Sequence, residues 1–422
     1  MGQNWVMGAQ NLSISVIVPV YNGGDDFRRC LRALAASVES NARYRVEYEG
    51  VDRRVARRPV SHRSGRCEGA TVWPSERRAS AMVADVRNDV DASSSSAVRI
   101  DDAAEPRTVE IIVVSDGDSD GSWRLAELFG VRLIRLPESG GPAKARNIGA
   151  KSATGDILFF VDADVEVHLD TIEKVAKSFE ESAELDALIG SYDDTPGAPN
   201  FLSQYRNLIH HYTHQEASLD ASTFWGACGA IRRHVFEEVG GFDEGYRRPC
   251  IEDIELGYRL KYAGHQIHLR PDIQVKHLKR WTPASMLRAD IFYRALPWSD
   301  LLMQVQRSRP AFYRRFTQEL NLKWSSKVSV VLVFGLLLLG LSATLMSLSP
   351  AGNLADWMPS VWLIALLCGL SLLAINLPLY RFFSQRHGWL FALKTIPWHW
   401  LYFLYSGLVY AYTVVRYRLR PS

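Results

Sequence analysis

Cysteine, net charge and a basic leader are all scarce in this chain. Its five cysteines, Cys30, Cys67, Cys228, Cys250 and Cys368, are scattered, odd in number and never spaced as CxxC. That argues against a disulfide framework or a structural zinc site and fits a reducing, cytosol-facing compartment. The formal net charge is only +3 over 422 residues, too little to point to a nucleic-acid partner. The opening stretch MGQNWVMGAQNLSISV has no basic run followed by an apolar run, so no signal peptide is expected. Val6 stands where a myristoylation motif needs Ser or Thr.

What is present falls into two regimes. Charge is concentrated before about Lys327 and apolar residues after it. Residues 14–21 (ISVIVPVY) read as a buried strand. Asn22-Gly23-Gly24 is a turn, and Asp25 is the expected cap of a helix with Phe27, Cys30, Leu31 and Leu34 on its apolar face. From 38 to 108 the chain turns Arg-rich and acidic, with a serine run at 93–96 and few large apolar residues. This reads as a flexible insertion, either a solvated loop or a partner-binding segment. Strands are expected again at 109–115, 131–136, 156–161 and 187–192, with helices between them. Alternation of this kind implies a mainly parallel sheet of right-handed βαβ units. Ligands of such sheets bind beyond the carboxyl ends of the strands. Beyond 196, helices are expected at 205–214, in the stretch 226–244 and at 252–262, an extended segment at 266–277, and an amphipathic helix at 285–296.

The C-terminal third changes character. Residues 328–348 and 361–380 carry no charge over lengths that span about 30 Å of hydrocarbon. The aromatic stretch 398–415 either crosses as well or forms an interfacial hairpin with 389–393. The loop 349–359 has no Lys or Arg, whereas Lys323, Lys327, Arg381, Arg386, Lys394, Arg416, Arg418 and Arg420 flank the apolar stretches. The positive-inside rule then puts the large N-terminal domain, residues 12–310, in the cytosol and makes 311–422 a membrane region of two or three helices.

The stretch ILFFVDADVEV places Asp162, Asp164 and Glu166 directly after a buried strand. In extended backbone Asp162 and Asp164 point to one side. Two like charges there need a partner, and Mg²⁺ or Mn²⁺ shared with a diphosphate is the natural one. Asp116, in SDGDSDG, is either a turn former or a carboxylate that accepts an N–H of a bound base. Tyr21 is either a rim tyrosine or a stacking platform for that base. Lys144 and Arg146 are either plain ion-pair partners or the cations of a diphosphate site. Glu252 and Asp253 are either acids favoured at a helix N-terminus or, for Asp253, a general base.

Taken in order, SVIVPVYNGG, EIIVVSDGDSDGS, GGPAKARNIGA, GDILFFVDADV, GACGAIRRHVFEEVGGFDE and IEDIELGYRL resemble the family-2 glycosyltransferases over about residues 13–278, apart from the insertion. The resemblance implies the GT-A fold, a Rossmann-like α/β domain with a mainly parallel sheet. It implies a nucleotide-sugar donor, UDP- or GDP-linked, and a divalent metal, Mn²⁺ or Mg²⁺. Pro19, Tyr21, Asp116, Lys144, Arg146, Asp162, Gly226 and Gly229 would hold nucleotide and donor. Asp164, Asp162 and His277 would hold the metal, and Asp253 would be the catalytic base. Glu252, Arg280 and Trp281 fall to the acceptor side or its surroundings, and no role falls on Glu166. Processive members carry Gln-x-x-Arg-Trp, whereas HLKRW here keeps Arg280-Trp281 and has His277 in place of Gln. The expectation is an inverting transferase at the cytosolic face of the cell membrane, multi-pass, acting on a lipid or glycan acceptor. A processive polysaccharide synthase and an inactive membrane scaffold are the competing readings.

Overall fold

The computed structural model describes residues 12–41, 44–46, 107–308, 311, 324–348 and 357–419. The insertion expected at 38–108 lies outside the described residues except at its ends, as do Lys323, Arg420 and most of the loop 349–359.

Nine strands form one sheet among the described residues. β1 (Ile14–Val20) pairs in parallel with β3 (Arg107–Asp116) on one side and β5 (Ile157–Val161) on the other. β2 (Tyr44–Val46) and β4 (Arg132–Leu136) share the far edge of β3, both parallel to it. These strands alternate their side chains between two cores, as a sheet covered on both faces must. Val16, Val18, Phe159 and Val113 enter one core under α1 (Gly24–Glu39). Ile17, Leu158, Phe160 and Val114 enter the other under α3 (Pro142–Ser152). α2 (Trp123–Phe129) lies between β3 and β4 in sequence.

The sheet then changes direction. β8 (Cys228–Arg232) is antiparallel to β5 and to β7 (Ala187–Tyr192). β9 (Ile267–His277) runs parallel to β7, and β6 (Val165–Val167) pairs antiparallel with β9. The sheet is mainly parallel, as expected: seven of the nine described strands run one way, and β8 and β6, both absent from the sequence reading, run against them. The apolar core of β8 is only CGAI, too short for a periodicity signal, and Gly229 within it and Gly226 just before it mimic turn punctuation. Helix starts differ as well. Asp25 does not cap its helix through its side chain, and neither does Asp170, the residue ahead of the helix that follows β6. Asp170 instead pairs with Lys174 one turn along α4 (Thr171–Glu181).

The expected helix at 205–214 is α5 (Phe201–Gln215), and the one at 252–262 is α7 (Glu252–Ala263); α6 (Arg233–Glu238) is a short helix after β8. The helix expected at 285–296 is longer and irregular. α8 (Pro283–Arg288), a π-helical stretch (Ala289–Ala295) and α9 (Leu296–Ser308) follow one another directly. The π turn aims buried Asp290 at Arg206 of α5, 2.6 Å away, and the Tyr405 hydroxyl donates to the same carboxylate at 2.6 Å.

Among the described residues two helices are long and apolar enough to cross a membrane, α10 (Trp324–Leu348) and α11 (Met358–Ile375). Their leucines face outward, Leu338 being 65% and Leu366 57% exposed, which suits lipid rather than water. α11 ends at Asn376, whose side chain donates to Ser329 and to the Leu372 carbonyl. α12 (Leu377–His387) follows, then a turn at Gly388. The stretch 398–415 makes no hairpin with 389–393; both lie in one helix, α13 (Trp389–Leu419), which runs through Pro397.

Phe160 packs among three other phenylalanines, with ring centroids of Phe242, Phe236 and Phe224 at 5.2, 5.4 and 6.0 Å. Phe160→Ala would empty this cluster and cost about 3–5 kcal/mol. The midpoint of thermal unfolding of the purified chain should fall by several degrees; an unchanged midpoint would show that the cluster does not hold the two halves of the sheet together.

Candidate functional site

Three parallel strands, β1, β3 and β5, deliver Tyr21, Asp116 and Asp162 to one edge of the sheet. Antiparallel β8 pairs Cys228 with Val161, so the residues entering β8, Gly226 and Ala227, lie beside the exit of β5. β9 ends at the same edge, with His277 opposite Val165 and the Leu278 N–H donating to the Asp164 carbonyl at 2.8 Å. Reversed β8 brings Gly226 to this edge, while β9 reaches it by running with the parallel strands.

Arg146 is the centre. It is buried on α3 and donates to Asp162 Oδ1 at 2.6 Å and to Glu252 Oε1 at 2.8 Å. Its guanidinium also lies 5.3 Å from the centroid of the Phe242 ring. Burial works against its charge, but Asp162 and Glu252 outweigh that and hold it firmly protonated. Gly226 is small because Arg146 needs the space: a Cβ there would stand 2.8 Å from Nη2. Gly257 lets α7 approach, since a Cβ would meet the Phe224 nitrogen at 2.2 Å.

Asp253 opens α7. Its Oδ2 accepts the Gly226 N–H at 3.2 Å and its Oδ1 the Ile254 N–H at 2.8 Å. Burial, and then the neighbouring charge of Glu252, push its carboxyl up to about 7, with Arg146 and the two N–H groups opposing. Glu252 itself is saturated by Arg146 and by the Cys250 N–H at 2.8 Å.

Asp162 and Asp164 do not share a side. The backbone leaves the extended form after Val161 and turns, the Val165 N–H closing on the Asp162 carbonyl at 3.1 Å. Asp162 therefore faces Arg146, and Asp164 faces His277 Nε2 at 3.7 Å and Lys279 Nζ at 3.6 Å. Burial raises the Asp164 carboxyl, but the hydrogen bond and charge of His277 and the charge of Lys279 outweigh it and hold it well below the carboxylate range. His277 is stacked on Tyr192 at 4.4 Å, which fixes its ring plane. Among the described residues no group of three or more His, Cys, Asp or Glu side chains is arranged to hold a metal ion by itself. A divalent cation would take Asp164 and His277 from the chain, and the oxygen-plus-imidazole pair suits Mn²⁺.

The remaining sequence candidates take varied positions. Asp116 is buried and accepts from Ser139 Oγ and from the Gly140 and Gly141 N–H groups at 2.8, 2.7 and 2.9 Å, so it organises the turn ahead of α3. Pro19 is half-buried in β1, while Tyr21 is 58% exposed at its end. Lys144 is exposed and makes no ion pair with a described residue. Gly229 lies inside β8 opposite Phe160 rather than at its end. Arg280 is exposed, whereas Trp281 is buried, its backbone N–H donating to Ser203 Oγ at 2.7 Å. Glu166 is held by the Arg29 guanidinium of α1 at 2.7 and 3.0 Å.

Sequence reasoning missed Asp26, Tyr192 and Lys279. Asp26, in the first turn of α1, titrates higher than a free carboxylate because of burial and then because Asp164 is near. Its only signal was a second acid beside Asp25. Tyr192 closes a strand whose end was not known to meet β9.

With this geometry described, the relatives can be set beside it. Residues 92–240 match the family described as "Glycosyl transferase family 2", and residues 206–281 match "N-terminal domain of galactosyltransferase". A probable N-acetylgalactosaminyltransferase 7 of Caenorhabditis elegans is 26% identical over 206 residues, 42% of this chain and 34% of that protein. A pre-mycofactocin glycosyltransferase of Mycobacterium tuberculosis is 27% identical over 208 residues, 44% of this chain and 41% of that one. The chain thus spans well under half the length of these curated relatives. A solved mannosyltransferase from Pyrobaculum calidifontis, in complex with GDP-Man and Mn²⁺, is 15% identical with a TM-score of 0.49, covering 94% of this chain and 91% of its own.

The raised Asp253 carboxyl has a consequence for stability. A folded-state value of about 7, above the ~3.9 of an unfolded Asp, means that the neutral acid favours the fold. Stability is then complete below about pH 4 for this group and is lost as pH rises through about 7. Asp253→Asn should leave thermal stability unchanged at about pH 4 and raise it at pH 8. Equal midpoints for parent and variant at both pH values would show that Asp253 ionises freely.

Proposed function

From a chain that carries a glycosyl transferase family 2 domain, we propose that the protein moves a sugar from a nucleotide-sugar donor to an acceptor hydroxyl with inversion. The observation that carries this is the placement of Asp253. It is a carboxylate with a value near neutrality, fixed by the Gly226 N–H, beside an acid edge that Arg146 locks. A base so tuned accepts a proton at pH 7 and gives it up again.

Asp253 takes the proton of the acceptor hydroxyl as that oxygen attacks the anomeric carbon. The bond to the diphosphate breaks on the opposite face. Exposed Lys144 would meet the departing negative charge, and Asp116, which takes the Gly140 and Gly141 N–H groups, shapes the turn ahead of it. Mn²⁺ or Mg²⁺ held by Asp164 and His277 would supply Lewis-acid stabilisation of the leaving group. Arg146 is a positioning residue: it holds Asp162 and Glu252 and so fixes the entrance to α7.

The two apolar helices and the outward leucines support anchoring at a membrane, with the domain on the side of Lys327, Arg381 and Arg386. A lipid or lipid-linked glycan acceptor fits that placement. Full-length protein in detergent should bind UDP or GDP more tightly with Mn²⁺ than with chelator present. Asp164→Asn should abolish the metal effect, and a chain that binds neither nucleotide with metal would sink the reading. With a working donor, Asp253→Asn should lose about 10²–10⁴-fold in turnover while keeping donor binding. The rate of the parent should rise with pH up to about 7. An unchanged rate in the variant would favour a scaffold over an enzyme.

A further inference from the structure

Away from the acid edge, a cavity of about 530 Å³ opens between α5 and α12. His211, Tyr212 and Gln215 line it from one helix and Arg381, Phe382 and Arg386 from the other. We propose that this cavity binds the phosphate of an anionic membrane lipid, separately from the sugar-transfer site. The inference rests on the membrane-anchored reading above.

Position is the first argument. α12 begins directly after α11, one of the two helices able to cross a membrane, comes to an end at Asn376. The cavity therefore opens at the level of the lipid headgroups, on the side where basic residues collect.

Chemistry is the second. Arg381 is exposed and makes no ion pair with a described residue. Arg386 pairs with Asp194 and lies 5.8 Å from the centroid of the Phe382 ring. Two guanidinium forks on one helix suit the oxygens of a phosphate. The cavity is also built rather than incidental. His211 is 6% exposed, with Nδ1 2.7 Å from the Tyr192 carbonyl oxygen, which points to Nδ1 as the donor and leaves Nε2 as an acceptor toward a protonated phosphate or a glycerol hydroxyl. Phe382 stacks on His211 at 5.8 Å and meets Tyr212 at 5.2 Å, giving an apolar wall for the lipid's carbon skeleton.

Size and separation are the third. The volume lies in the range that encloses a small ligand, about 300–1,000 Å³. None of Asp164, Gly226 or Asp253 lines it, so the occupant is held rather than transformed. Glu216 at the rim repels an anion and limits affinity.

The test uses the full chain in nonionic detergent, titrated by calorimetry with dihexanoyl phosphatidic acid and, separately, with inorganic phosphate. The short-chain lipid should bind at least about tenfold tighter than phosphate. Arg381→Ala should weaken it by about tenfold, the scale of one charge-assisted contact, and Glu216→Gln should tighten it. Both variants should bind nucleoside diphosphate with Mn²⁺ as the parent does. In nanodiscs, phosphatidic acid in place of phosphatidylcholine should raise the thermal midpoint of the parent and not of Arg381→Ala. Equal binding of lipid by parent and Arg381→Ala overturns the proposal, and phosphate binding as tightly as lipid reassigns the cavity to a soluble anion and overturns it too. Lipid binding that persists in a chain unable to bind nucleoside diphosphate would sink the sugar-transfer reading alone.

Discussion

One buried guanidinium organises the functional edge of this protein. Arg146 reaches Asp162 at the end of β5 and Glu252 at the start of α7, two points separated by ninety residues of chain. A buried cation left with neither acid would cost several kcal/mol, and each acid left alone would cost a similar amount. The three charges are therefore stable only together, and their geometry is stiff. Because Asp253 follows Glu252 directly, the same constraint fixes where the proposed base stands and how readily it ionises.

The sheet makes that meeting possible. A purely parallel sheet would bring the strand exits, His277 of β9 among them, to one edge and leave Gly226 at the other. Antiparallel β8 instead starts where β5 ends, and β9 finishes beside β6. The small residues that follow from this are not spare. Gly226 exists because Arg146 occupies the volume of a side chain, and Gly257 because α7 lies against the backbone of Phe224. The π turn that buries Asp290 applies the same logic on a larger scale. It ties α5, the segment after β9 and α13 through Arg206 and Tyr405, and so joins the apolar helices to the domain.

Much of the fold was legible because its signals are local. Runs such as ISVIVPV and VEIIVVS are apolar, β-branched and bounded by turn residues, and the two charge-free helices announce themselves by length. The candidate site was legible as a set of residues, since short motifs survive reading one at a time. Its wiring was not. The expectation that Asp162 and Asp164 share a side assumed extended backbone, and the turn closed by the Val165 N–H separates them. Arg146 was read as either an ion-pair partner or a phosphate cation, and its pairing with two acids matches the first reading. Asp116 was read as either a turn former or an acceptor for a bound base, and the Ser139–Gly141 turn takes its oxygens.

The sequence by itself determined the alternating strands and helices, the acids that gather at strand ends and the apolar helices that follow. Hydrophobic periodicity and turn chemistry act over a few residues and need no long-range partner. Only the tertiary structure decided which strand reverses, which acid meets which cation and where a cavity remains between α5 and α12. Those outcomes depend on pairing across tens of residues and on competition for a limited number of buried hydrogen bonds, and no local pattern encodes the winner of that competition.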